Sequence, residues 1–252
     1  MNRAAAGTFA AIALVATSLP AMADDQIATS KGNLVIHPFH HASMLFTWDG
    51  KHILVDPAPP LGGPQPADIT AEYKAVPTPD VILVTHEHPD HFNVKILEAV
   101  AGAKTIVVTC QDVFDKLPAD LKAKAKVLPD GASTTVDGIP LTAVPAYNTT
   151  PDRMKFHPES RHDDGYLLTL GGKRVYIAGD TEETPAMKAL KAIDVAFLPM
   201  NLPYTMTIEQ AAQAVKDFKP KVVYPYHYRG SDVQAFKKLV GNAADVRLLK
   251  WY

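Results

Sequence analysis

The segment Thr85-His86-Glu87-His88-Pro89-Asp90-His91 restricts this chain more than any other stretch. It follows the apolar run Val81-Ile82-Leu83-Val84, which reads as a buried strand. A strand ending in three histidines and an aspartate delivers metal ligands to the loop at its C-terminal end. In extended backbone, His86 and His88 project to one side while Glu87 points away. Pro89 keeps the segment out of a helix interior, so Asp90 and His91 lie at the turn into the next helix and face elsewhere. One loop can thus serve two ions, with two imidazoles for one and a carboxylate and an imidazole for the other. These donors suit zinc, and also manganese or iron.

Two further strands end in ligand residues. Asp180 follows Val175-Tyr176-Ile177-Ala178-Gly179, and His227 follows Val222-Val223-Tyr224-Pro225-Tyr226. Alone, Asp180 could be a helix cap, and the histidine-rich loop could be a solvated surface turn. Three strand ends carrying ligand types together point to one site at the strand ends of an α/β fold.

The rest of the chain supplies the frame. Asp49-Gly50, Asp137-Gly138 and Gly171-Gly172 each separate two β-rich runs, which predicts three tight hairpins. Strands alternating with short helices follow the first and third hairpins: Asn93 caps one helix, Pro118 divides 111–124 into two, and Thr207-Ile208-Glu209-Gln210 is a capping box. A first strand is expected over Asn33–His37 and a last over Val246–Leu249. The hairpin-rich part and the strand–helix part occur twice, with the second pass beginning near Val127. This predicts an α/β fold in four layers, an αββα sandwich of two mixed sheets with helices on the outer faces, in one domain over 24–252. The segment from Tyr147 to Asp164 is a long polar loop of the kind that carries function.

Residues 1–23 are of another character. Asn2-Arg3 precedes a small apolar run, and Pro20-Ala21-Met22-Ala23 offers a small-x-small cleavage site before Asp24. The run is shorter than the roughly 20 residues of a membrane span. A signal peptide, export to the periplasm or medium, and no membrane attachment after cleavage are the expectations. The formal net charge of −2 and the absence of a basic run exclude a nucleic-acid groove and leave a small-molecule substrate as the expected partner. Cys110 is the one cysteine, so no intrachain disulfide forms, and its place after an apolar strand makes it a small buried hydrophobe.

The segment 85–91 resembles the His-x-His-x-Asp-His motif of the metallo-β-lactamase superfamily. Gly179-Asp180-Thr181 resembles that superfamily's bridging-aspartate motif, Pro225-Tyr226-His227-Tyr228 its last histidine motif, and Asp56 its structural aspartate near the metal loop. The resemblance implies an αββα sandwich and a dinuclear, usually zinc, hydrolase that works through a metal-bridged hydroxide. It implies His86, His88, Asp90, His91, Asp180 and His227 as ligands, with Asp180 between the ions and Asp90 also handling the proton. His41-Ala42-Ser43, Pro145-Ala146-Tyr147-Asn148 and Tyr204-Thr205-Met206 are similar to the group of ascorbate-6-phosphate lactonase-like and N-acyl-phosphatidylethanolamine phospholipase D-like enzymes, which implies a lactone, ester or phosphodiester substrate. The chain departs from the pattern where the third motif has a histidine, for that position reads Asn148. His157 is the candidate replacement ligand, against a substrate-facing or structural role. His41 and Asn148 are candidate substrate contacts. Arg153, Arg161 and Arg229 read as solvated surface cations that could otherwise hold an anionic group. The rival functions are a periplasmic β-lactamase and a non-catalytic metal-binding module.

Overall fold

Each half of the chain builds one sheet. In the computed structural model, which describes residues 24–62 and 64–252, seven strands are laid down in chain order: β1 (Asp25–Thr29), β2 (Gly32–Pro38), β3 (Met44–Trp48), β4 (Lys51–Val55), β5 (Val81–Val84), β6 (Ile106–Thr109) and β7 (Ala125–Val127). β1 to β4 pair antiparallel, and β4 to β7 pair parallel. The second sheet repeats this order with β8 (Ser133–Val136), β9 (Ile139–Ala146), β10 (Asp163–Leu170), β11 (Lys173–Ile177), β12 (Val195–Pro199), β13 (Val222–Tyr226) and β14 (Asp245–Val246). Again the first four are antiparallel and the last four parallel. The expected signal peptide over 1–23 lies outside the described residues.

Turn chemistry sets the hairpin registers. Asp49, Asp137 and Gly171 have φ of 51°, 46° and 53°, each followed by a glycine at 73°, 76° and 80°. Both central residues are thus left-handed, as a two-residue hairpin that matches strand twist requires.

Side-chain alternation then sorts the layers. Ile53, Val55, Val81 and Leu83 point between the sheets and meet Leu141, Leu168, Ile177 and Phe197. Leu54, Ile82, Val84 and Val107 point outward and are covered by α1 (Ala71–Lys74), α2 (Val94–Val100), α3 (Gln111–Lys116) and α4 (Ala119–Lys122). On the other outer face Tyr176, Ala196, Leu198 and Val223 pack under α5 (Pro185–Ala189), α6 (Ile208–Phe218) and α7 (Val233–Val240). The result is the αββα sandwich. The inter-sheet layer includes the fully buried Phe46 and Phe197, whose ring centroids lie 5.4 Å apart with the planes tilted by 38°. Truncating either to alanine costs about 3–5 kcal/mol.

Helix ends follow their caps. Asn93 accepts from Ile96 N, Thr184 from Met187 N, and Thr207 and Gln210 form the reciprocal box. Several boundaries differ from expectation. β1 precedes the expected first strand and brings only Ile27 to the core, too weak an apolar pattern to read as a strand. The last strand covers Asp245–Val246 and not 246–249, because only there does β13 offer a parallel partner. The long loop ends at Asp163, where β10 begins its pairing with Ala146. Among the described residues no helix is long and apolar enough to cross a membrane.

Candidate metal centre

The donors stand where strands of both sheets end. Asp56 follows β4, and it binds the start of the histidine loop: Thr85 N donates to its Oδ1 at 2.8 Å and Thr85 Oγ1 to its Oδ2 at 2.9 Å. His91 Nδ1 lies 2.8 Å from the same Oδ2. Since the carboxylate can only accept, it selects the Nδ1–H form of His91 and leaves Nε2 free for a metal. His86 Nδ1 is held 3.0 Å from Thr85 Oγ1. After β11, Gly179 adopts φ of 67°, and a Cβ there would lie 2.9 Å from Asp164 O. Only glycine takes both the conformation and the contact, and it turns Asp180 into the site. After β13, His227 is itself left-handed at φ 46°, fixed by donating N–H to His41 O at 3.0 Å.

His157 comes from the β9–β10 loop, which is pinned at several points. Asn148 N donates to His157 O at 2.8 Å, and Asn148 Nδ2 donates to Arg153 O and Tyr204 O at 3.0 and 2.7 Å. Buried Glu182 accepts from Thr149 N, Thr150 N and Arg153 Nη1 at 2.7, 2.5 and 2.5 Å. A polar loop thereby becomes a fixed scaffold.

The donors form two groups whose ligand atoms lie within 4.8 Å of one another: His86, His88, His157 and Asp180, and His41, Asp90, His91 and His227. Asp180 also faces the second group. Its Oδ2 is 3.3 Å from His157 Nε2, 3.3 Å from His227 Nε2 and 3.9 Å from His86 Nε2, while its Oδ1 is 3.3 Å from His91 Nε2. These four imidazole nitrogens and Asp180 Oδ1 are buried and have no hydrogen-bond partner. Buried polar atoms are otherwise almost always satisfied. Two donors on one tetrahedral ion, each about 2.0–2.1 Å from it, stand about 3.3 Å apart. The separations and the orphaned atoms therefore fit metal ligation.

Charge is arranged to match. Burial would raise the Asp180 carboxyl, but His227 and His91 outweigh it and hold it well below the ordinary range. Asp90 behaves alike, held low by the nearby His227, 3.6 Å from its Oδ2, and by its hydrogen bond to His41, against the opposing effect of burial. Burial and the neighbouring imidazoles push His86 well down, and burial and the Arg161 charge bring His88 to about 4. His91 is raised in spite of burial because it lies between Asp180 and Asp56. The carboxylates are ionised and His86 and His88 resist protonation. His157, like His91, is raised in spite of burial by the carboxylates it faces, Asp163 and Asp180, so a cation at the site would have to displace those protons.

The remaining expected residues are placed as follows. His41 is buried beneath Asp90, with Nε2 2.9 Å from Asp90 Oδ2 and Nδ1 2.5 Å from the Tyr252 hydroxyl, and does not line the cleft over the site. Burial and His227 lower it to about 4, so it is neutral at pH 7. Asn148 is also buried and away from the cleft lining, with its amide donors committed to the loop. Arg153 and Arg161 are not solvated surface cations. Arg153 pairs with Glu182, and Arg161 pairs with buried Asp163 and reaches within 2.9 Å of His157 Nδ1 and 2.8 Å of His88 Nε2. Tyr252 and Asp163 had no sequence signal as parts of the site, since each acts through a histidine supplied elsewhere in the chain. The cleft itself has a volume of about 760 Å³ and exposes His88, Asp90, His157 and Asp180 on its floor.

Residues 35–227 match the family model described as the β-lactamase superfamily domain. A UPF0173 metal-dependent hydrolase of Pyrococcus abyssi is 35% identical over 210 residues, covering 79% of this chain and 89% of the relative. A crystal structure of a putative metal-dependent hydrolase from Parabacteroides distasonis superposes with a TM-score of 0.81 at 41% identity, covering 92% of this chain and 100% of the other. Igni18, a metallo hydrolase from Ignicoccus hospitalis, gives a TM-score of 0.69 at 26% identity, covering 85% and 94%. With its donor groups and its αββα sandwich, the chain belongs to the metallo-β-lactamase superfamily and, within it, to the UPF0173 metal-dependent hydrolases.

Proposed function

We propose that this hydrolase works with two divalent ions, zinc first among them, and cleaves an ester, lactone or phosphodiester bond of a small molecule. The meeting of the two donor groups at Asp180 carries this reading. The preponderance of imidazole donors favours zinc over manganese. His86, His88 and His157 would hold one ion and Asp90, His91 and His227 the other, with Asp180 facing both groups. Bound there, divalent ions polarise a carbonyl or phosphoryl oxygen and make water acidic enough to attack near neutral pH. The chain's own residues do the rest. Asp90, ionised and open to the cleft, accepts the proton of the attacking water and returns it to the leaving group. His41 orients that carboxylate from below. The cleft walls hold the substrate over the donors.

The motif resemblance to lactonase-like and phospholipase D-like enzymes supports the lactone and phosphodiester members of this set. The small-x-small site before Asp24 supports export, and N-terminal sequencing of the mature protein tests it. Metal analysis is expected to give about two equivalents per chain. Nitrocefin, a lactone, a p-nitrophenyl ester and bis-p-nitrophenyl phosphate, each with zinc and manganese, test the bond class. Turnover of one of the last three, abolished by Asp90→Ala, is expected. Turnover of nitrocefin alone favours the β-lactamase, and turnover of none overturns the catalytic reading.

A further inference from the structure

We propose that Arg229 and the apolar wall around it select an amphiphilic anion: a substrate with an apolar body and, beyond the scissile bond, a negatively charged group. The inference rests on the hydrolytic reading above and names its substrate class.

The first observation is the wall. Leu61, Leu202 and Tyr204 are 37%, 51% and 44% exposed, and all three border the cleft over the metal donors. Phe156 joins them, with its ring 5.0 Å from that of Tyr204. Large apolar side chains left in water beside a concave site mark a binding surface.

The second observation is charge. Apart from the metal donors, Arg229 is the one charged side chain among the described residues that line this cleft. Arg153, Arg161 and Arg247 are each paired with a carboxylate, whereas Arg229 has none among the described residues. Its guanidinium lies across the mouth over Gly62, where a Cβ would come within 2.5 Å of Nη2, and Gly62 has φ of 75°. The left-handed glycine leaves room for the guanidinium that any side chain would take. An exposed, unpaired guanidinium beside an apolar wall presents its planar donors to a carboxylate, phosphate or sulfonate. A neutral substrate would leave that charge unused.

Two 4-nitrophenyl esters of equal length test this with the zinc-loaded protein. Mono-4-nitrophenyl suberate carries a carboxylate at its far end, and 4-nitrophenyl octanoate carries a methyl group. The wild type is expected to prefer the suberate by about tenfold or more in kcat/KM. In Arg229→Ala that ratio should fall at least tenfold, and Arg229→Lys should restore part of it. An unchanged ratio in Arg229→Ala, or no preference in the wild type, overturns the proposal. Calorimetric binding of 1-octanesulfonate, a weak metal ligand, gives a readout independent of turnover. Binding that weakens at least tenfold in Arg229→Ala while no ester is hydrolysed would remove the ester from the bond-class reading and leave this one standing. Equal binding to both proteins, or binding to neither, would overturn it.

Discussion

His91 Nδ1 lies 2.8 Å from Asp56 Oδ2, and both residues are wholly buried. The carboxylate also takes both donors of Thr85, so its position is determined from three directions. In Asp56→Asn the amide nitrogen would oppose one of these donors. Metal affinity at the His91 group is expected to fall about 10–100-fold, as for other partners that orient a ligating imidazole. Competition titration against a chromophoric chelator measures it.

His157→Ala and Asn148→Ala should separate ligation from support. His157 offers an orphaned Nε2 to Asp180, while Asn148 supports the loop around it. The first change is expected to lower bound metal toward about one equivalent with little loss of apo stability. The second removes two hydrogen bonds from buried surroundings and should cost about 1–3 kcal/mol in urea denaturation. Equal metal content in wild type and His157→Ala would remove His157 from the ligand set.

Arg153→Ala should unsettle the same loop through charge. Glu182 is 1% exposed and holds Arg153, Thr149 and Thr150 together. Removing the cation leaves a buried carboxylate without its partner, a loss of about 3–5 kcal/mol. The urea midpoint should fall with an unchanged slope, and Arg153→Lys should recover part of it.

Asp164 predicts a pH dependence. It is buried, neither oxygen has a hydrogen-bond partner, and burial with Asp130 and Asp163 nearby raises it to about 9. Below about pH 4 the carboxyl is protonated in folded and unfolded chains alike. Between about pH 4 and 9 only the unfolded chain releases the proton, so stability falls as pH rises, by at most about 1.4 kcal/mol per unit. Asp164→Asn should flatten that slope and be the more stable protein at pH 8. Parallel melting curves from pH 4 to 9 check it, and identical slopes would exclude the assignment.

What could be read from the sequence depended on how local the cause was. The three hairpins rest on adjacent residues with left-handed backbones, and the histidine loop places its donors within one turn, so both were legible. β1 and β7 were not, because each is a short edge strand with little apolar pattern, stabilised by its neighbour. Non-local pairs were equally hidden. Arg161 meets His88 across 73 residues and Tyr252 meets His41 across 211. Arg153 reads as a surface cation until Glu182 is brought beneath it by a different strand end. Spacing records which residues share a face, and only the completed sandwich records which faces meet.

The repeated strand order of the two sheets has a consequence for how such a centre can exist at all. His86 and His88 come from the first sheet's half of the chain, and His157 and Asp180 from the second. His41, Asp90 and His91 likewise need His227 from across the divide. Neither half encloses a complete donor set, so a cation bound here would rivet the two sheets together at their strand ends. Affinity for the ion is then part of the cohesion of the sandwich, and a chelator that strips the centre also loosens the seam between the halves.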